Sequence, residues 1–218
     1  MTLIQTTITR AKPGGRNDAV GIAAEASKLL ERHGAANNRL LLAQPAGEAT
    51  GTHVFTTEFE SGEAWGAFTD SLFQDSELEK LLDRVYGENS PVVMESMSIG
   101  TEIPLGRSGP SNRQPVVEAY VSRPVPGRFA AALELANAAF DFVEGNGGTA
   151  CRLMQLSNAG MLTDCLVASW EFENVKALGK MGDAYGGDPA GQKLMEMLTG
   201  ANSPITPVSS GIYVEIPL

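Results

Sequence analysis

The chain has 218 residues, 43% of them apolar, and a net charge of −10, which makes it one large domain or two small ones. The negative charge repels phosphate backbones and anionic lipid heads, and no basic run reverses it locally, so nucleic acid and membrane surfaces are not expected partners. No stretch approaches the roughly 20 apolar residues of a membrane span.

From the N-terminus, Leu3 to Arg10 alternates, with Ile4, Thr6 and Ile8 on one side and Gln5, Thr7 and Thr9 on the other. That period of two predicts a strand. No basic or apolar leader character precedes it, so a cytoplasmic location is expected. Pro13-Gly14-Gly15 turns the chain into a helix over Asn17 to Arg32, with apolar residues at Val20, Ala23, Ala24, Leu29 and Leu30 and a stop at Gly34. His33, at the end of that helix, suits the dipole and reads as structural. Arg39 to Ala43 and Thr52 to Phe59 read as a strand pair around the turn Pro45-Ala46-Gly47. Ser61 to Phe73 is helical, with Ala64, Trp65 and Phe68 on one face. Ser76-Glu-Leu-Glu79 has the pattern of a capping box for a further helix, and Val92 to Ile103 is the last strand. The order is βαββαβ, a ferredoxin-like split unit.

The same phrase is then written again at an offset of 113 residues, without a gap. Arg10 meets Arg123, Pro13-Gly14 meets Pro126-Gly127, and Arg39-Leu40 meets Arg152-Leu153. Glu58-Phe59-Glu60 meets Glu171-Phe172-Glu173, and Asn89-Ser90-Pro91 meets Asn202-Ser203-Pro204. Such self-similarity is duplication. Repeat one is expected at 1–105, a connector rich in Gly, Pro and Ser at 106–114, and repeat two at 115–218. Asp188-Pro189 supplies cap and first-turn proline in repeat two.

Two helices cover only one face of a four-stranded sheet. The other face is expected to carry Leu41, Phe55 and Phe59 in repeat one, and Tyr120, Met154, Leu166, Trp170, Phe172 and Tyr213 in repeat two. Leaving it wet costs on the order of 10 kcal/mol per half. The expected fold is therefore α+β: two tandem ferredoxin-like repeats whose sheets pack face to face as a barrel within one chain. The assembly expected is a monomeric pseudo-dimer or a homodimer.

Phe59-Glu-Ser-Gly-Glu-Ala-Trp65 and Phe172-Glu-Asn-Val-Lys-Ala-Leu178 resemble a strand-to-helix junction of the dimeric α+β barrel superfamily. The likeness is to its antibiotic-biosynthesis-monooxygenase-like branch in a fused two-repeat form, and it covers essentially the whole chain. It implies the fold but no single activity, because the superfamily holds oxygenases, haem enzymes, decarboxylases and isomerases. Haem-degrading and quinone-forming members use a polar residue on the first strand, an indole and a histidine in the second helical region. Trp65 matches the indole, but residues 54–218 contain no histidine to match the third group or to ligate haem. No cofactor and no metal are expected.

Alternation is expected to place Gln5, Thr7, Arg39, His53, Thr57 and Glu102 inside the barrel, with Glu118, Tyr120, Arg152, Trp170, Tyr213 and Glu215 from repeat two. Arg39 and Arg152 lie on sheet-edge strands opposite the other repeat's last strand. They read either as seam salt bridges, Arg39 to Glu215 and Arg152 to Glu102, or as an anion site. Glu118 among Tyr120, Trp170 and Tyr213 is a carboxylate among aromatics, suited to acid–base work or to a plain hydrogen-bonded core role. Glu118 and Tyr120 are thus the catalytic candidates; Arg39, His53, Trp65, Arg152, Trp170 and Tyr213 are the ligand-binding ones. His53 reads as a core histidine or as a base. Cys151 and Cys165, equidistant from Asn158, are expected to face each other across a hairpin as buried thiols. Two functions follow: binding, and cofactor-independent conversion, of a small apolar or aromatic compound; or a non-catalytic module with a filled barrel. A cavity of roughly 300 Å³ or more would favour the first.

Overall fold

The computed structural model describes residues 1–107 and 113–218, so residues 108–112 of the expected connector lie outside the described residues. Repeat one comprises β1 (Leu3–Ala11), α1 (Arg16–Arg32), β2 (Ala36–Ala43), β3 (Thr52–Phe59), α2 (Gly62–Leu72), α3 (Ser76–Tyr86) and β4 (Val92–Glu102). Repeat two comprises β5 (Val116–Pro124), α4 (Phe129–Gly145), β6 (Thr149–Asn158), β7 (Leu166–Phe172), α5 (Val175–Gly187), α6 (Pro189–Thr199) and β8 (Ile205–Ile216). Among the described residues no helix is long and apolar enough to cross a membrane.

The second helical region of each repeat is split, and the repeat explains how. Asp75 caps α3 by accepting a hydrogen bond from the Glu77 amide, and Asp188 caps α6 by accepting one from Ala190. These two residues are one offset apart. The capping box expected at Ser76 is therefore displaced by one residue: the aspartate stands outside the helix, where its oxygen can reach a free N–H.

All eight strands form one closed barrel in the order β1-β3-β2-β8-β5-β7-β6-β4. The two seams are antiparallel. Leu40–Ala43 of β2 pairs with Tyr213–Ile216 of β8, and Ile99–Glu102 of β4 pairs with Met154–Asn158 of β6. Ile8, Leu41, Val54, Val117 and Tyr213, drawn from both repeats, pack together inside. Tyr213 stands where repeat one has Gly100, so the two halves fill the interior unequally. The outer face carries the two helix-backed cores. Leu3, Phe59, Phe68 and Leu72 meet in repeat one. Val116, Phe140, Leu166, Trp170, Phe172 and Met181 meet in repeat two. Phe59, Leu166, Trp170 and Phe172 therefore do not lie on the inner face, where alternation had placed them; Leu41 and Tyr213 do.

Each seam is locked by an arginine that reaches into the other repeat. Arg39 donates to Glu215 at 2.8 Å and to Glu171, and its guanidinium also donates to the Gln114 carbonyl at 2.7 Å. Arg152 donates to Glu102 at 2.9 and 3.0 Å and to Glu58 at 2.5 Å. Both seam bridges expected from the sequence are present, and each arginine takes a second carboxylate from the repeated Glu-Phe-Glu motif. Burial pushes the Glu102 carboxyl up, but the hydrogen bonds and charge of Arg152 outweigh it and hold the group below the ordinary glutamate value.

The hairpins between β2 and β3 and between β6 and β7 are fastened in the same paired way. Arg10 donates to the Glu48 and Thr50 carbonyls, and Arg123 to those of Met161 and Thr163. One position fits its duplicate poorly. Asn37 and Ala150 share a left-handed backbone, with φ of 50° and 52°. Asparagine adopts that region at lower cost than alanine.

Two outcomes are expected. Replacing Arg152 by Met leaves Glu58 and Glu102 half-buried without a cation, and urea unfolding at pH 7 is expected to show a loss of about 2–3 kcal/mol. The lowered Glu102 pKa contributes stability above the ordinary glutamate range that disappears as pH falls through the lowered value. In Arg152→Met that acid limb is expected to vanish, and the deficit relative to wild type to shrink as pH falls below the ordinary glutamate range and the uncompensated carboxyls take up protons. Conversely, Ala150→Asn is expected to stabilise by about 1 kcal/mol in the same measurement.

Candidate functional site

The outer face of repeat two assembles the most distinctive polar cluster. Strand β5 carries Glu118 and Tyr120, and its register places Trp170 of β7 directly opposite Glu118. The Trp170 indole N–H donates to Glu118 Oε2 at 2.8 Å, and the Tyr120 hydroxyl donates a longer bond to Glu118 Oε1 at 3.4 Å. Tyr120 stacks on Trp170 with ring centroids 5.4 Å apart, and Phe140 of α4 meets the indole edge-on at 6.1 Å. Trp170 is 3% exposed. Burial raises the Glu118 pKa against the opposing effect of its two hydrogen bonds. Burial, then the nearby Glu118 charge, pushes Tyr120 up to about 12. Tyr185 of α5 is raised in turn by burial and by Tyr120 and Glu118. Among the described residues no arginine, lysine or histidine forms an ion pair with Glu118.

Beside this cluster lies a cleft of about 200 Å³ between the sheet and the helices α4, α5 and α6. Tyr120, Ala139, Ala168, Trp170, Tyr185 and Leu198 help to line it. It is smaller than the 300 Å³ set as the mark of a ligand site, and its walls are almost wholly apolar apart from the two phenol hydroxyls, Ser122 and Thr199. Glu118 sits behind two of the lining rings rather than in the wall. The cleft follows from divergence between the repeats. Ala168 stands where repeat one has Phe55, and Tyr120 and Trp170 stand where it has Thr7 and Thr57.

The other candidates lie elsewhere. Arg39 and Arg152 are inside the barrel, each already matched by two carboxylates, as are Tyr213 and the glutamates of the seams. Trp65 of α2 donates its indole N–H to Gln5 at 2.9 Å on the outer face of repeat one. His53 lies on that same face, 3% exposed, and among the described residues neither of its ring nitrogens has a hydrogen-bond partner. Burial and then the Arg16 charge lower its pKa. Gln5, Thr7, His53, Thr57, Glu118, Tyr120 and Trp170 thus face helices and not the barrel interior. Alternation shows which side chains share a face, but not which face is covered by what. The cysteines also differ from expectation. Leu156 donates its amide to the Cys165 carbonyl at 2.9 Å and Arg152 pairs with Ser169, so Cys151 and Cys165 are not opposed. Tyr185 was not singled out from the sequence, although its replacement of Leu72 at the repeat offset was a usable signal. Among the described residues no group of three or more His, Cys, Asp or Glu side chains is placed to hold a metal ion.

Solved structures resemble this chain along nearly its full length. An anthrone oxidase-like protein superposes with a TM-score of 0.63 at 13% identity, covering 99% of this chain and 91% of its own. Chlorite dismutase from Candidatus Nitrospira defluvii, in complex with imidazole, gives 0.57 at 11% identity, with 99% and 91% covered. A monooxygenase-like protein from Fusobacterium nucleatum gives 0.55 at 8% identity, with 98% and 92% covered. This chain has the dimeric α+β barrel fold. No protein-family model matches it, and no curated protein matches it in sequence. Within the α+β barrel, the indole that the family resemblance implies, Trp65, is separated from the repeat-two cleft, which is built around Trp170 instead.

His53 supplies a test of how the two outer faces differ, because its partner position in repeat two is Leu166. His53→Leu removes two unpaired buried nitrogens and is expected to stabilise by about 1–3 kcal/mol in thermal or urea unfolding. A lowered histidine pKa contributes stability that is whole above the ordinary histidine value and is lost as pH falls through the lowered one. The wild-type protein should therefore lose stability below about pH 6.5, and this component should be missing in His53→Leu.

Proposed function

We propose that the repeat-two cleft binds a small aromatic compound and that Glu118 accepts its proton by way of the Tyr120 hydroxyl, which lines the cleft and donates to Glu118. The chain would then be a cofactor-independent enzyme of the monooxygenase kind, in line with one structural neighbour named a monooxygenase and another named anthrone oxidase-like. The observation that carries this reading is the conjunction of an apolar cleft with a carboxylate held behind its aromatic wall. A glutamate whose pKa is raised by burial is closer to the pH at which a general base works. A tyrosine that donates to that glutamate keeps its oxygen lone pairs for a ligand donor. The size of the cleft bounds the substrate: a dry cavity of about 150 Å³ can hold benzene, so about 200 Å³ suits one or two rings.

A second reading rests on a specific observation too. The barrel interior is filled by Ile8, Leu41, Val54, Val117 and Tyr213, as expected of a non-catalytic module used for association. The two readings separate on the cleft alone.

Native mass spectrometry of the protein purified from its own host is expected to show a retained small molecule. Ala168→Phe, which installs the repeat-one residue at the cleft wall, should abolish that retention while leaving the fold intact. Glu118→Gln, which leaves the cleft walls unchanged, should lower turnover of the retained compound by about 100-fold or more. An empty wild-type protein, or ligand retained equally by Ala168→Phe, would favour the non-catalytic module.

A further inference from the structure

The duplication provides an internal control for Glu118. At the equivalent position repeat one has Gln5, on the same outer face, and Gln5 also accepts an indole N–H, from Trp65 at 2.9 Å. Glu118 accepts its indole N–H from Trp170 at 2.8 Å. Receiving that bond therefore needs an oxygen and no charge. A neutral amide does the work in one half, and the carboxylate in the other must be explained by something else.

The rest of the barrel shows how the fold treats an acidic group that leaves water. Glu58 and Glu102 share Arg152, and Glu171 and Glu215 share Arg39. Among the described residues Glu118 has the Trp170 N–H and the Tyr120 O–H and no cation. An unpaired carboxylate in apolar surroundings either takes up a proton or meets a cation. The surroundings suit a cation. Tyr120 and Trp170 are stacked beside the carboxylate, and Tyr185, in contact with Phe142 at 4.9 Å between centroids, closes the cleft from α5. Aromatic faces attract ammonium groups, most strongly where water is excluded. Among the described residues no cationic side chain lines the cleft to oppose such a ligand, and the net charge of −10 draws cations toward the protein.

We infer that the ligand of this cleft is a small aromatic amine, bound as its ammonium ion with the charged nitrogen directed at Glu118 past Tyr120 and the ring in the apolar cleft. This rests on the cleft being a ligand site and adds the charge of the ligand. It excludes carboxylates and phosphates, which would meet Glu118 with no counter-charge.

Isothermal titration calorimetry with phenethylamine and phenethyl alcohol tests it, since the two share shape and differ in charge. Three proteins are compared at neutral pH: wild type, Glu118→Gln and Ala168→Phe. Glu118→Gln reproduces the residue that repeat one already tolerates, and its fold is checked by circular dichroism. The amine is expected to bind wild type at least about tenfold more tightly than the alcohol, as one charge-assisted hydrogen bond would give. That preference should vanish in Glu118→Gln, with the alcohol unaffected, and both probes should fail on Ala168→Phe. Equal binding of amine and alcohol to wild type, or a preference that survives Glu118→Gln, overturns the amine inference and leaves the cleft as a ligand site. If neither probe binds wild type, or both bind Ala168→Phe undiminished, the cleft reading falls and the inference with it.

Discussion

The structure depends on the reciprocal crossing of two arginines. Arg39 belongs to repeat one and is held by repeat two; Arg152 belongs to repeat two and is held by repeat one. Drawing four carboxylates and two guanidiniums largely out of water, Arg39 and Glu171 fully so, is unfavourable unless every partner is in place. A seam that slipped by one residue would turn one member of each cluster to the other face of the sheet. The apolar surfaces inside the barrel could be buried in several registers, whereas the ion clusters are satisfied in one. Hydrophobic burial drives closure, and the arginines select which closure.

With the barrel closed in this way, the two outer faces are free to differ. Repeat one fills the space beneath its helices with Phe55, Phe59 and Trp65 and carries an unpaired histidine. Repeat two puts alanine at the position of Phe55, and a carboxylate, two phenols and an indole gather around the space that results. The helix-capping aspartates, the arginine-fastened hairpins and the seam clusters are shared by both halves. Differences concentrate on the layer between sheet and helices, where packing tolerates exchange provided the volume is made up nearby.

Much of this was legible in the sequence. The offset of 113 residues exposed the duplication, and the strand periodicity gave each half its order within a residue or two at the ends of most elements. The pairing of Arg39 with Glu215 and of Arg152 with Glu102 followed from which strands lie at sheet edges. Glu58 and Glu171 were equally available, standing in a motif written twice, but nothing local to β3 or β7 says that they point at the seam. What the pattern could not supply was the side of the sheet. A period of two is symmetric between faces, and the polar tips of Glu118, Tyr120 and Trp170 suggested a lined interior when they are the polar lining of a helix-covered layer. The cleft was not legible at all. It lies between the small Ala168 and residues of α4 and α6, and where those helices sit is a property of packing.

Joining two halves in one polypeptide has a consequence for stoichiometry. In a dimer of identical chains, every substitution appears at both ends of the twofold axis, and any pocket that one subunit gains its mate gains as well. Here the axis is only approximate. Tyr213 has only Gly100 as its counterpart, and the glutamate at 118 has no acidic twin. Such a molecule can carry one cleft per chain while the opposite half stays as a rigid support, so saturation would be reached at a single equivalent rather than two.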